Sequence, residues 1–380
     1  MVYSIIIHDA TAQSNPSNKI KTHHRPNYMV KSPYLPLVEL TRGEIVESIH
    51  FGALAVADRN GRLLAWYGDP EMVTFLRSTA KPFQALPFIE SGGAKAYQLE
   101  PPDIALICAS HSGTDAHVTA VGALQTKVGI TETDLMCGTH PPSHEPTLEA
   151  MRQRGEEPSP NRNNCSGKHT GMLASARMHG WPKVSYLEHS NPLQRGILDA
   201  FAEMCDLSPE QVQLGIDGCS APNFAVPLRN AAQAFARLCD PQQLSEPRAQ
   251  ACRTITSAMM AHPFMVAGPG RFDTRLMEVG AGKIVAKGGA EGYQGIGLLP
   301  GTLGPGSPAL GIALKVSDGD LKGRARPLAC IEVLRQLGAL SPQQLPALAE
   351  FGPRLPVLNR REIEVGEARP AFQLHWAVTN

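Results

Sequence analysis

Arg77-Ser78-Thr79-Ala80-Lys81-Pro82-Phe83-Gln84-Ala85-Leu86 sets a serine three residues ahead of a lysine, where a strand-rich stretch gives way to a helical one. Upstream, Gly52-Ala53-Leu54-Ala55-Val56-Ala57 and Leu63-Leu64-Ala65-Trp66-Tyr67 read as two strands joined by a turn at Asp58-Arg59-Asn60-Gly61. Downstream, the run from Pro82 reads as a first helical turn that carries an apolar face onward. Residues at i and i+3 share a helix face, so Ser78 Oγ and Lys81 Nζ can meet. A serine hydroxyl is a weak nucleophile until a base takes its proton, and a buried lysine with a lowered pKa can be that base. Alone, Ser-x-x-Lys is also the pattern of an ordinary helix cap followed by a solvated lysine.

The bulk of the chain narrows the choices. At 380 residues it can bury one large core or two ordinary ones. Lys+Arg and Asp+Glu both number 35, so no net field favours nucleic acid or an anionic membrane, and no basic stripe alternates with aromatics. No apolar run approaches the roughly 20 residues of a membrane span, and Tyr3-Ser4-Ile5-Ile6-Ile7-His8 is too short for a signal-peptide core. Eight cysteines without close regular spacing do not form a secreted disulfide framework, so reduced thiols in the cytoplasm are expected.

Residues 1–34 are polar and irregular and read as a mobile extension. A catalytic domain is expected over 35–352. Its sheet lobe would come from 35–80 and 263–352, and its helical lobe from 81–262, where Gly122–Val128, Leu193–Cys205 and Asn230–Leu238 carry apolar residues at helix spacing. Late strands are expected at Lys283–Lys287 and Gly311–Val316, a helix from about 325 to 337, and a short strand and tail over 353–380. Strands, then helices, then strands define an α+β architecture in which late strands pair with early ones.

Three polar stretches join the Ser78 turn. Lys287-Gly288-Gly289-Ala290-Glu291-Gly292 follows an apolar strand, and its glycines, Gly289 among them, let a substrate approach the edge with no Cβ in the way. Between the two lie Ser110-His111-Ser112-Gly113 and Asn161-Arg162-Asn163-Asn164-Cys165-Ser166-Gly167-Lys168-His169. Either can be a hydroxyl or amide loop capping neighbouring helices. In order, Ser-x-x-Lys, a second polar element and Lys-[small]-Gly form the serine–lysine acyl-transfer layout.

With Asp217-Gly218-Cys219-Ser220-Ala221-Pro222 added, these five blocks resemble the Rhizobium etli-type L-asparaginases, from about residue 35 to about 337. The resemblance implies a fold similar to serine β-lactamases and serine glutaminases, with an antiparallel sheet of N- and C-terminal strands packed with a mainly helical region. It implies hydrolysis of L-asparagine to L-aspartate and ammonia, and a homodimer. By position, Ser78 and Lys81 match the family's nucleophile and lysine, and Ser110 and Lys287 a second serine–lysine pair. Cys165, Lys168 and Cys219 match ligands of a family zinc site, with Asp217 close by and His169 beside it. Arg77, Ser112, His169, Gly289 and Glu291 are the residues expected around the amino-acid headgroup, and a zinc ion would orient that headgroup. The chemistry itself can run on serine and lysine, through an ester on Ser78, with Lys81 kept neutral by burial and by Lys287. Ser110 as nucleophile with Ser78 as relay stays open. So do a glutaminase or β-lactamase-like amidase or esterase, which shares Ser78, Lys81 and the late Lys-x-Gly, and an amino-acid-binding protein without turnover.

Overall fold

Leu35–Arg42 (β1) and Ile45–Asp58 (β2) pair antiparallel in the computed structural model, which describes residues 32–378. The chain then forms β3 (Leu63–Tyr67) and β4 (Val73–Phe75), a long mainly helical stretch holding β5 (Gln213–Ile216) and β6 (Pro222–Pro227), then β7 (Ile284–Gly288), β8 (Tyr293–Leu298) and β9 (Leu310–Val316). After the helix Ala325–Gln336 come β10 (Leu355–Leu358), β11 (Glu364–Pro370) and β12 (His375–Trp376).

The main sheet runs β10-β11-β1-β2-β9-β8-β7, with β3 on β2 and β12 on β3, and all of its pairings are antiparallel. Strand β2 changes neighbours along its length. Ile45 to Gly52 pairs with β1, while Gly52 to Asp58 pairs with β9 and carries β3 on its other edge. Its burial changes at the same point, from an exposed first half to the buried run Gly52–Ala57. The expected α+β layout holds: early and late strands share one sheet, and helices lie between them in sequence.

The helix Leu228–Cys239 lies against that sheet, and small residues set how closely. A Cβ on Gly311 of β9 would run into the Ala232 carbonyl oxygen and come within 2.6 Å of the Ala236 nitrogen. Gly295 and Gly297 of β8 face Phe235 and Cys239 in the same way. A core packed this tightly has no slack for a side chain there. Gly311→Val is expected to cost about 3 kcal/mol of stability, read as a lower urea midpoint at unchanged slope.

The structure adds to and corrects the sequence reading in three places. The 81–262 stretch, read as mainly helical, also holds β5 and β6, a hairpin that pairs with β4 in a second, three-stranded sheet. These strands are four and six residues long, and the Asp217–Ala221 loop between them hides the hairpin pattern. Helices continue past 262, through Phe272–Val279, so the second part of the sheet begins only at Ile284. The 353–380 stretch is no tail: β11 pairs with β1, Val38 opposite Pro370, and on its other side with β10, which forms an edge of the main sheet. Up to residue 31, the extension read over 1–34 lies outside the described residues. All eight cysteines are buried and unpaired. No helix among the described residues is long and apolar enough to cross a membrane.

Candidate active site

The Ser78 turn is built by the small sheet. Past β4, the Leu76 N–H donates to the Phe224 carbonyl at 3.0 Å, and the Arg77 N–H to Asn223 Oδ1 at 3.1 Å. Arg77 itself takes a left-handed conformation, φ 54°. For a non-glycine residue this costs of order 1–3 kcal/mol and must be held by its surroundings. The holding group is Asp217 of the β5–β6 loop, whose Oδ1 accepts from Arg77 Nε at 2.7 Å. One tight turn, Arg77–Ala80, then leads into the helix Lys81–Glu90, with Pro82 in its first turn. Ser78 thereby stands at a helix start, with no hydrogen bond on its hydroxyl among the described contacts.

Two lysines converge on the second serine. Ser110 Oγ lies 2.9 Å from Lys81 Nζ and 2.7 Å from Lys287 Nζ. Lys81 also donates to the carbonyls of Ala109 at 2.5 Å and Asn164 at 3.3 Å, and Lys287 to that of Gly288 at 2.7 Å. Both side chains are almost wholly buried, at 1% and 0% exposure. Burial, reinforced by the Lys81 charge, lowers the Lys287 pKa to about 7. The lysine–serine hydrogen bonds fall on Ser110 rather than Ser78.

Both serines open into one cavity of about 230 Å³, bounded by Asn164 and by Gly288, Gly289 and Ala290 of the late strand edge. Gly289 is required there, since a Cβ would sit 2.6 Å from the Leu76 carbonyl oxygen, just before the Ser78 turn. Along this edge the Gly288 N–H is taken by Asp273 Oδ2 at 2.6 Å and the Gly289 N–H by the Tyr293 carbonyl at 2.9 Å. Among the described residues the Ala290 N–H has no acceptor. A larger hollow, about 780 Å³ around Asp199, Glu203, Asp206 and Arg237, holds neither serine nor lysine of this cluster.

Of the expected headgroup residues, only Gly289 lines the cavity. Arg77 is committed to Asp217, with Glu291 at 3.8 Å on its other side. Ser112 is buried and donates to the Ala267 carbonyl at 2.7 Å. His169 is buried against Tyr186, whose hydroxyl accepts from the Met136 N–H at 2.9 Å and shares a hydrogen bond with His169 Nδ1 at 2.7 Å. Sequence reading passed over Arg271, Asp273 and Arg326, which do line it. The only local signal is Arg271-Phe272-Asp273 at a helix start, which resembles any solvated first turn.

The cysteine cluster lies behind Asn164, outside the cavity lining. Cys219 accepts from Lys168 Nζ at 3.0 Å. The neighbouring Cys165, with the Lys168 charge, holds Cys219 far below an ordinary thiol, while the Cys165 thiol donates to Asn164 Oδ1 at 2.8 Å. Burial opposes the Lys168 charge, but Cys219 and Cys165 outweigh it and raise the lysine. Burial lowers the His169 imidazole to about 4, with the Cys219 sulfur opposing. Two sulfurs and an amine nitrogen are donors that zinc takes once Cys165 and Lys168 release protons. Among the described residues no three His, Cys, Asp or Glu side chains group to hold a metal, so a zinc ion here needs Lys168. Asp217 does not join the set, because its carboxylate holds Arg77.

The lysine-flanked serine and the second serine share one cavity, and the family the chain matches is one of amidohydrolases. The chain belongs to the L-asparaginase II family, matched over residues 38–370. That match takes in β11, which the sequence reading had placed in a tail. No curated protein matches the chain in sequence. Among solved structures, the chain is similar to a probable glutaminase from Bacillus subtilis complexed with 6-diazo-5-oxo-L-norleucine. The identity is 12%, with 75% of this chain and 83% of that one covered and a TM-score of 0.34. It is also similar to Mglu in its native form in 4.3 M NaCl, at 16% identity, covering 74% of this chain and 60% of that one, with a TM-score of 0.39.

Proposed function

We propose that this protein hydrolyses L-asparagine to L-aspartate and ammonia through an ester on Ser78. The observation that carries the reading is Ser110 Oγ held 2.9 Å and 2.7 Å from two buried lysines, in the cavity into which Ser78 opens. Ser78 Oγ attacks the side-chain amide carbon, and its proton passes through Ser110 to the lysines that flank it. The oxyanion of the tetrahedral intermediate is met by the Ser78 N–H at the helix start and by the uncommitted Ala290 N–H. Each such donor lowers the barrier by about 3 kcal/mol. As the C–N bond breaks, Ser110 protonates the leaving nitrogen and is reprotonated by Lys287. Water then attacks the ester and gives a proton to the same relay, the acyl C–Oγ bond breaks, the relay returns that proton to Ser78 Oγ, and aspartate leaves.

Zinc at Cys165, Lys168 and Cys219 is part of this proposal. When bound, it would supply a fixed positive charge tying the Asn164–Cys165 loop to the β5–β6 loop, which also carries the Asp217 partner of Arg77. Elemental analysis of purified protein is expected to find the metal, and Cys219→Ala to lose it. A homodimer is proposed on the resemblance and a cytoplasmic location on eight cysteines without close regular spacing; light scattering reads the oligomer.

The direct test is ammonia release from L-asparagine and L-glutamine in parallel. The two differ by one methylene, which a pocket separates by about 1–3 kcal/mol, so a 10- to 200-fold preference for asparagine is expected. Release from glutamine alone would make the protein a glutaminase. Release from neither, with asparagine still bound, would make it a binding protein.

A further inference from the structure

Arg271 and Arg326 line the cavity that holds both serines, yet neither has a carboxylate within ion-pair distance among the described residues. The contrast with other arginines is plain, since Arg77, Arg162 and Arg248 each face an acid. Arg271 Nη1 reaches only the Ser143 hydroxyl, at a long 3.4 Å. Arg326 Nη1 donates to a neutral acceptor, Gln294 Oε1, at 2.5 Å. The one carboxylate in the lining, Asp273, is occupied by the Gly288 N–H at 2.6 Å and Gln294 Nε2 at 3.0 Å. Two guanidinium groups against one engaged carboxylate leave this end of the cavity positive.

The guanidinium of Arg326 is set against the reacting edge itself. A Cβ on Gly288 would strike Arg326 Nη1 and lie 3.2 Å from Asp273 Oδ2, so the glycine after Lys287 is what admits this side chain. Arg271 stands exposed at the mouth. An anion entering the cavity finds a fixed guanidinium inside and a freer one at the rim. Guanidinium groups match carboxylates in shape and in hydrogen-bond direction.

We propose that Arg271 and Arg326 form a carboxylate subsite that holds the α-carboxylate of an amino-acid amide while its side-chain amide faces Ser78. This rests on the amidohydrolase reading above and adds to it the reason for choosing an amino acid over a simple amide. Arg77, neutralised by Asp217, is thereby left to shape the Ser78 turn rather than to bind the headgroup.

Equilibrium binding tests the subsite without turnover. L-Aspartate and β-alanine both carry an amino group and the product carboxylate and differ by the α-carboxylate. Calorimetric titration of the full chain with each is compared for wild type, Arg271→Gln, Arg326→Gln and Arg271→Lys. A hydrogen-bonded charge contact is worth about 1.5–3 kcal/mol. The glutamine variants are therefore expected to weaken L-aspartate about 10- to 100-fold and β-alanine far less, with Arg271→Lys recovering part of the loss. Arg271, exposed and with one long hydrogen bond, can be replaced without disturbing the core. An L-aspartate affinity that is absent in wild type or equal in all variants overturns the subsite, as does an equal loss for β-alanine. Ammonia release from L-asparagine by wild type separates the two readings. Turnover without arginine-dependent binding sinks the subsite alone, and arginine-dependent binding without turnover sinks the asparaginase alone.

Discussion

Ser78→Ala is expected to abolish ammonia release, lowering kcat by on the order of 10⁴-fold or more, as loss of an acyl-enzyme nucleophile does. Ser110→Ala is expected to cost less, on the order of 10²- to 10³-fold, the range of a lost proton-transfer group. The asymmetry follows from how each hydroxyl is held. Ser110 Oγ is fixed between Lys81 and Lys287, the position of a group that passes protons back and forth. Ser78 Oγ has no such ties and projects from a helix start into the cavity, where the N–H groups and the helix dipole favour a developing oxyanion. A diazoketone analogue of asparagine, followed by peptide mapping, reads the same question covalently. The label is expected on the peptide containing Ser78. A label on Ser110, with activity surviving in Ser78→Ala, would exchange the two roles and make Lys287 the base of the attacking serine.

Much of this site is written locally in the chain. Ser78 and Lys81 are three residues apart, and Lys287-Gly288-Gly289 spans the end of its strand, so short windows contain both ends of the machinery. What short windows do not contain is direction. Ser112 and His169 stand among the same conspicuous polar blocks as Ser110 and Cys165, but their side chains turn to the Ala267 carbonyl and to Tyr186. Arg271 and Arg326 sit in ordinary helical surroundings 55 positions apart by their numbers, and only the fold brings both to the serines. Likewise β5 and β6 are too short to announce themselves, and β11 takes one of its two partners, β1, from more than 300 residues earlier. Charged residues without a local pattern, and strands whose partners are distant, are what sequence spacing leaves out.

The acid limb of the pH profile should report Lys287. Burial and the neighbouring Lys81 lower its pKa to about 7, with Asp273 opposing them. The relay needs this amine neutral when the serine proton arrives, and the neutral fraction falls tenfold for each pH unit below the pKa. Thus kcat/KM is expected to rise with pH, to turn over near 7 and to level off above it. A group titrating on the substrate would leave that midpoint fixed when protein charges change. Asp273 supplies the test, because its carboxylate favours the charged lysine while its oxygens hold Gly288 and Gln294. Asp273→Asn keeps an acceptor for the Gly288 N–H but removes the charge, so Lys287 should become still easier to neutralise and the midpoint should move to lower pH. Lys287→Arg, permanently charged, should lose activity across the range. A midpoint that stays put in Asp273→Asn, or moves upward, would take Lys287 out of the relay and leave the proton to Lys81.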